Sequence, residues 1–482
     1  MILTIDLGTS ATKAATWDDN GLVGGGRAHL TTLHRGGGMA EQDPTAWWRS
    51  LVDACAAAGA RTGFRGLDPV DGVVFASARQ TFVPVTAEGE PEGLALVWSD
   101  RRAVAEATEL GLECGGADAV RRRTGAVLDG AAVAAKVAWL ANREPDRLAS
   151  SAWILSARDL MAWKLTGTVA TDATLASATG LYDVEGHEVP ELVGSAAGKL
   201  PEVVGPDTVI GKMRPEPARA LGLRAGIPVV IGAGDRPCEA LGTGASPERP
   251  MVAWGTTANV SVPLPNRPDP VPLGVTVTRG ALGGWLLEGG LSAAGSLLAW
   301  LSDLTGVSVE DLGCQAAARP PGAGGVLALP WLGGARAPWW RDDALAGFVG
   351  LRFDHGPVDL ARAVLEAVAF DVARCLDAMS ASVVGPKGLA IGGSAATGPA
   401  WTQVLTGITG LTAVQRRSGE AAMAGAALLA SEALGAGFHL ERLDPVTAET
   451  TPPPEMVLRY AELRPGADRV AAAALMLNGD AS

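Results

Sequence analysis

Apolar positions in this chain switch repeatedly between two periods, and each switch predicts an element. The clearest 3.6-residue period covers Pro357–Met379, where Leu360, Ala361, Val364, Leu365, Val368, Ala369, Val372 and Leu376 share one helical face behind a start near Asp359. Residues 44–58 repeat the pattern with Trp47, Trp48, Leu51, Val52 and Cys55 after the cap residue Asp43, and 133–141 and 159–165 follow it. Short β-rich runs at 72–76, 94–98, 227–231 and 388–391 read as strands between these helices. Strands alternating with amphipathic helices define an α/β protein.

One element occurs twice. Residues 1–6 form an apolar run that ends in Gly8-Thr9-Ser10; residues 251–254 form another, ending in Gly255-Thr256-Thr257 before Val260-Ser261-Val262. Both read as strand, Gly-Thr turn, strand, and the repetition at the head of each half predicts two domains of related fold. The Ala-rich run 421–433 is short and followed by Gly435 and Gly437, so it predicts a buried helix and not a membrane span. Residues 440–454 are polar and proline-bearing and read as a linker, with a last helix over 455–477.

Composition narrows the partners. A chain of 482 residues with 48% hydrophobic content can bury a large core. A net charge of −13 argues against a nucleic-acid partner, which needs a basic face, but leaves nucleotide binding open. The five cysteines are scattered without a CxxC pair, the pattern of reduced thiols. The first residues lack the basic and apolar regions of a signal peptide, so the expectation is a soluble cytoplasmic protein away from membranes. The histidines are isolated; His355, just before a helix, reads as structural.

Three stretches can carry chemistry. In Asp6-Leu7-Gly8-Thr9-Ser10-Ala11-Thr12-Lys13, glycine admits phosphate oxygens, the threonines and lysine can bond them, and the carboxylate can hold Mg²⁺ through water. The plain alternative is a hairpin with a polar tip. No GxxxxGK[ST] occurs, which excludes a P-loop enzyme, and the protein-kinase catalytic loop is absent too. Gly392-Gly393-Ser394-Ala395-Ala396-Thr397 follows a strand and precedes a helix, a slot for a flat purine or simply a tight turn. Asp235, in GAGDRPCE after the run 227–231, is either the cap of the next helix or a base facing a substrate.

The ordered series DLGTSATK, MAEQDP followed by Trp-Trp, VWSDRR, GAGD, WGTT, SAAGSLLAWL, LPWLGGARAPWW and IGGSAATGPAW resembles the FGGY carbohydrate kinases from Ile2 to about Ala430. The resemblance implies two actin/hexokinase-like (ribonuclease H-like) domains with ATP and sugar in the cleft between them. Residues 1–244 would bind sugar and carry the first phosphate loop, 245–435 would bind nucleotide, and 436–482 would be linker and C-terminal helix. By position, Asp6 would organise Mg²⁺; Gly8, Thr9, Thr12 and Lys13, then Gly255, Thr256 and Thr257, would meet phosphates; Gly295, Gly393 and Thr397 would line the nucleotide pocket. Asp235 falls on the family's catalytic aspartate, which would accept the proton of the attacking sugar hydroxyl.

On the sugar side the resemblance implies Arg79, Gln80, Asp100 and Arg236 as substrate contacts, each with a plain alternative. Arg79 and Gln80 can equally form a surface turn, and Asp100 can pair with an arginine. Arg236 stands where the family usually has Asn or Gln; it favours an acceptor bearing a carboxylate, or pairs with Glu239 and contacts nothing. Arg79-Gln80 and VWSDRR lean to the glycerol kinase branch, whereas Glu41-Gln42-Asp43-Pro44 and LPWLGGARAPWW lean to the pentulose kinases. The expected reaction is ATP-dependent phosphorylation of a small sugar hydroxyl, with a ketopentose such as xylulose as the acceptor. Another polyol, a sugar acid, or a nucleotide-switched sensor of the same fold are the alternatives, and a homodimer is the candidate assembly. For Trp339 and Trp340, core packing is expected over a wall for the sugar.

Overall fold

The structure is a computed structural model that describes residues 1–62, 67, 69–383, 385–393 and 398–477. Its two large sheets repeat one plan. The first orders its strands Val209–Lys212, Pro228–Gly234, Gly72–Ser77, Ile2–Leu7, Ala11–Asp18 and Gly21–His29. Ile2–Leu7, Ala11–Asp18 and Gly21–His29 run antiparallel, and Gly72–Ser77 and Pro228–Gly234 add in parallel. The second sheet places Trp285–Leu291, Ala258–Leu264 and Met251–Trp254 antiparallel, then Gly388–Gly392 and Thr412–Arg416 in parallel. The expected duplication is therefore present at the level of strand order.

Helices cover these sheets where the apolar periods predict. Pro44–Gly59 starts at Asp43, whose carboxylate accepts from the Thr45 amide, and buries Trp47, Leu51 and Cys55 on the first sheet. Pro357–Met379 matches its predicted span and packs Val364, Leu365, Val368 and Val372 into the second core. The Asp359 carboxylate accepts from the Gly356 amide and so closes the start of that helix. None of the cysteines is bridged. Among the described residues no helix is long and apolar enough to cross a membrane.

Two readings need correction. Residues 440–454 are not a linker: Leu440–Leu443 is a helical turn, and Val446–Thr450 pairs antiparallel with Thr412–Arg416 at the sheet edge. No residue of this edge strand is buried and its three central residues are exposed, so it carries no alternating pattern and looks like loop in sequence. The predicted strand at 94–98 shrinks to Ala95–Leu96 in a separate five-stranded sheet.

The Ala-rich helix Ala421–Leu434 follows the second sheet in sequence but packs on the first. Ala426, Leu429 and Ala430 meet Ile2, Val74 and Val230, while Met423, Ala424 and Ala427 meet Ala15 and Trp17. It crosses helix Asp235–Thr243 at backbone contact. A Cβ on Gly425 would stand 1.8 Å from the Cys238 carbonyl oxygen, and one on Gly242 would stand 1.9 Å from that of Ala421. We therefore expect Gly425→Ala to lose about 1–3 kcal/mol from overpacking despite alanine's better helix propensity. Gly313→Ala, in the helix Val309–Ala317 with open space around it, should instead gain up to about 1 kcal/mol. Denaturant unfolding of the two variants measures the contrast.

Candidate active site

Strand Pro228–Gly234 ends at the cleft, and a buried network fixes where it ends. Arg158, fully buried, donates to the carbonyls of Ile231 at 2.9 Å and Gly232 at 3.2 Å, and pairs with Asp172 at 2.6 Å. The Thr174 hydroxyl donates to Asp172 and accepts from the Gly234 amide at 2.8 Å. These bonds saturate the backbone just before Asp235 and hold it in one place. Gly234 is the cap residue, so Asp235 is not; it opens the first turn of Asp235–Thr243. Its Oδ1 accepts from the Arg236 amide at 2.8 Å, and its side chain remains 38% exposed to the cleft.

Asp235 faces a cavity of about 340 Å³ between the two sheets. Thr9 from the first Gly-Thr turn and Thr257 from the second line the same cavity, as do Arg79, Gln80 and Arg236. The sequence stretches singled out for chemistry thus converge on one space, although they are separated by hundreds of residues.

Each turn is held by bonds that leave part of its polar surface free. The Trp98 indole donates to the Thr9 hydroxyl at 2.7 Å, which leaves that hydroxyl's own proton for a ligand. Gln42 donates to the Thr9 carbonyl at 2.6 Å. The second turn is strapped to helix Gly295–Thr305: the Gly295 amide donates to the Gly255 carbonyl at 3.0 Å, and the Ala294 and Ser296 amides donate to that of Thr256. A Cβ on Gly295 would come within 2.7 Å of the Gly255 oxygen, so glycine there sets how close helix and turn can lie. The hydroxyls of Thr256 and Thr257 carry no hydrogen bond to the described residues. Gly393 is left-handed at φ +86°, and a Cβ there would meet the Trp254 carbonyl oxygen at 2.0 Å.

Other expected contacts fall elsewhere. Thr12 is fully buried, with its hydroxyl 2.7 Å from that of Ser50, because strand alternation turns it towards helix Pro44–Gly59. Its side chain therefore faces away from any phosphate. Lys13 donates to Glu420 at 2.7 Å. Asp100 is fully buried, accepts from the Ala40 amide at 2.7 Å and pairs with Arg102 at 2.6 Å, so it has left the substrate set. Thr397 lies outside the described residues. Gly8, Lys13, Gly255, Thr256, Gly295 and Gly393 do not line the cavity itself.

Arg236 is held by Glu239 at 2.9 Å but still faces the cavity; Trp339 and Trp340 pack against the cores as expected, and Trp340 also lines the cavity. His355 is structural as expected, accepting from the Arg352 amide at 2.9 Å.

The electrostatics are concentrated at the cleft floor. Burial pushes the Asp6 carboxyl up to about 7; Lys13 opposes the rise, while Asp235, Glu420 and Glu239 add to it. Burial and Asp235 likewise raise Glu239 against the pull of Arg236. Among the described residues no three His, Cys, Asp or Glu groups converge to hold a metal ion by themselves.

Sequence reasoning passed over four residues here. Glu288, 3% exposed in the strand Trp285–Leu291, accepts both terminal nitrogens of Arg79. Its signal was available: an acid inside an otherwise apolar strand run. Arg336 lines the cavity with no ion pair and an unbonded, buried Nε. Asp129 lines the same cavity, and its charge acts on Arg336.

Lys136, fully buried in helix Val133–Arg143, donates to the carbonyls of Gln80 at 2.9 Å and Val97 at 3.0 Å. Burial lowers its ammonium to about 7 against the pull of Asp100 and Asp129. It ties the Arg79-Gln80 turn, where Gln80 is left-handed at φ 58°, to the segment that carries Trp98.

A cleft between two ribonuclease H-like domains, with a Gly-Thr turn on each side and an aspartate between them, defines a phosphotransferase of the actin/hexokinase-like fold. The chain belongs to the FGGY family of carbohydrate kinases: residues 1–242 match its N-terminal domain and 251–434 its C-terminal domain. It is 30% identical over 446 residues to a xylulose kinase of Klebsiella pneumoniae, covering 90% of each chain. It is 31% identical over 459 residues to a glycerol kinase of Trichlorobacter lovleyi, again covering 90% of each. A ligand-bound xylulose kinase from Lactobacillus acidophilus shares the fold over 100% of both chains, with a TM-score of 0.90 at 22% identity.

The Lys136 tie predicts a split kinetic effect. Lys136→Met should raise the acceptor KM roughly tenfold or more, because both carbonyls lose their common donor and the loops shift. The KM for ATP should stay within about twofold. Steady-state kinetics with each substrate varied in turn would show equal effects if the tie does not shape the acceptor side.

Proposed function

We propose that this carbohydrate kinase transfers the γ-phosphoryl group of ATP to a hydroxyl of a ketopentose such as xylulose, with Asp235 as general base. The observation that carries the reading is the convergence of Thr9, Thr257 and Asp235 on one cavity. In it, an acceptor hydroxyl can lie against the aspartate while phosphate oxygens lie against both Gly-Thr turns. Residues 1–244 build most of the acceptor side, which Arg336 of the second domain also lines, and 245–435, apart from helix Ala421–Leu434, build the nucleotide side.

A sugar hydroxyl is a weak nucleophile at neutral pH, so its proton must leave as the bond to phosphorus forms. Asp235 accepts it through the carboxylate oxygen that the Arg236 amide leaves free. Arg79 and Gln80 border the acceptor, and Gly8, Thr9, Gly255, Thr256 and Thr257 form the phosphate side. Meeting of the two domains excludes water, the competing acceptor.

The residues present suit a divalent cation. Asp6 sits among Asp235, Glu239 and Glu420 with its carboxyl already pushed up by burial and like charge, and Mg²⁺ takes few protein carboxylates plus phosphate oxygens. Asp6 would hold it, and the bound ion would supply charge neutralisation at the phosphates.

Relatives named xylulose kinase and glycerol kinase at similar identity support a small neutral acceptor. One observation favours a second reading, a sugar acid: Arg336 lines the cavity without an acidic partner, beside Arg236. A carboxylate would complete that guanidinium.

A coupled ADP-release assay across pentuloses, hexuloses, polyols and sugar acids tests both. The expected result is the highest kcat/KM with a ketopentose. Turnover no higher than the water background with every acceptor would contradict the kinase reading at this site. If gluconate leads instead, Arg336→Gln should lower its kcat/KM by about 10–100-fold, the worth of one charge-assisted hydrogen bond. Xylulose turnover should then barely respond to the same substitution.

A further inference from the structure

We propose that Glu288 is a positioning residue that holds the Arg79 guanidinium off Asp235 while the two domains meet. The inference rests on the reading of Asp235 as the base. Arg79 follows strand Gly72–Ser77 in the first domain, and its stem lies across the end of the neighbouring strand. A Cβ on Gly234 would stand 2.5 Å from Arg79 Cδ, so glycine at 234 is what lets the arginine reach this place. The guanidinium then lies between two carboxylates, Asp235 of the first domain and Glu288 of the second.

The geometry shows which acid takes it. Nη1 donates to Glu288 Oε1 at 2.7 Å and Nη2 to Oε2 at 2.5 Å, the paired fork that suits guanidinium and carboxylate. Only Nε faces Asp235, 3.6 Å from Oδ1 and beyond hydrogen-bond range. Thr278 fixes the acid by donating to Glu288 Oε1 at 2.6 Å. Burial disfavours the Glu288 carboxylate, but the Arg79 charge and the bonds from Arg79 and Thr278 outweigh it and leave the group lowered. As a result, Asp235 Oδ2 accepts no hydrogen bond from the described residues.

That free oxygen matters for the reaction. A carboxylate gripped by a forked guanidinium is stabilised in its charged form and accepts a proton poorly. Without Glu288, Asp235 is the carboxylate nearest the freed fork. Glu288 belongs to the second sheet and Arg79 to the first, so their pair exists only while the domains meet at the cleft floor. Meeting of the domains thereby brings the two phosphate turns together and releases the base in the same movement.

The test is a substitution cycle read by ADP release, with D-xylulose or with whichever acceptor of the panel turns over fastest. Glu288→Gln should lower kcat about tenfold or more, with the KM for ATP within about twofold. Glu288→Asp, which keeps the charge, should recover part of the loss. Adding Arg79→Met to Glu288→Gln should raise kcat above that of the single variant, even as the acceptor KM increases. A merely structural role for Glu288 would instead show as lost stability from the unpaired Arg79 charge, with the kcat of the folded Glu288→Gln enzyme unchanged.

A double variant no faster than Glu288→Gln, or a Glu288→Gln enzyme with full kcat, overturns the proposal. If Glu288→Gln does not fold, Glu288→Asp and Thr278→Val each weaken the clamp, and unchanged kcat in both overturns it equally. Asp235→Asn measured alongside separates the two readings. Its full activity would remove the base itself, whereas a slow Asp235→Asn beside a normal Glu288→Gln removes only the positioning role.

Discussion

Two helices that cross at backbone contact set the frame for everything at the cleft. Asp235–Thr243 leads from the first sheet towards the second, and Ala421–Leu434 returns from the second sheet to the first. Where they cross, the Cys238 carbonyl occupies the space that a side chain at Gly425 would need, and the Ala421 carbonyl does the same at Gly242. Such an approach is open only to glycine, and it fixes the axis of the helix whose first residue is Asp235. The alanine-rich face of the returning helix then fills the first core with small side chains. A helix so short in side-chain volume is what permits two sheets to share one crossing.

From that frame the charges follow. Strand ends from both sheets bring Asp6, Asp235, Glu239 and Glu288 near one floor, and unpaired acids at such a place would repel one another. The fold answers with arginines: Arg79, across the cleft, to Glu288, and Arg236, one helical turn away, to Glu239. Asp6 has no such arginine; burial raises its carboxyl, and Asp235, Glu420 and Glu239 add to the rise against the pull of Lys13. This distribution leaves one carboxylate oriented by the backbone with a free oxygen, and one suited to a hydrated cation beside phosphate. Arg336 is the positive counterpart, a guanidinium without an acid on the acceptor side.

How much of this the chain discloses depends on how local the cause is. The hairpins at both Gly-Thr turns, the capped helix at Asp43 and the long helix to Met379 follow from periods and turn residues within a few positions, and all are present. The duplicated strand order follows from the repeated hairpin. Thr12 falls away from the phosphates because a motif gives residue types in order and not the side of a strand they occupy, and Asp100 takes the arginine pair that was its alternative. The edge strand Val446–Thr450 was hidden because its exposed positions are polar. Glu288, Lys136 and Arg336 depend on contacts between distant segments, which leave only a faint trace in sequence, such as an acid or a lysine within an apolar run. The motif series points to Asp235, but the forked pairing of Arg79 with Glu288, which leaves only Nε towards Asp235, is visible only in three dimensions.

The central claim is that Asp235 removes the acceptor's proton, and single-turnover transfer of labelled γ-phosphate addresses it most directly. With Asp235→Asn, the phosphoryl transfer step should slow by about 10²–10⁴-fold, while calorimetry shows ATP bound as tightly as in the unaltered enzyme. Transfer at close to the unaltered rate would contradict the account and leave Asp235 as no more than the first residue of a helix.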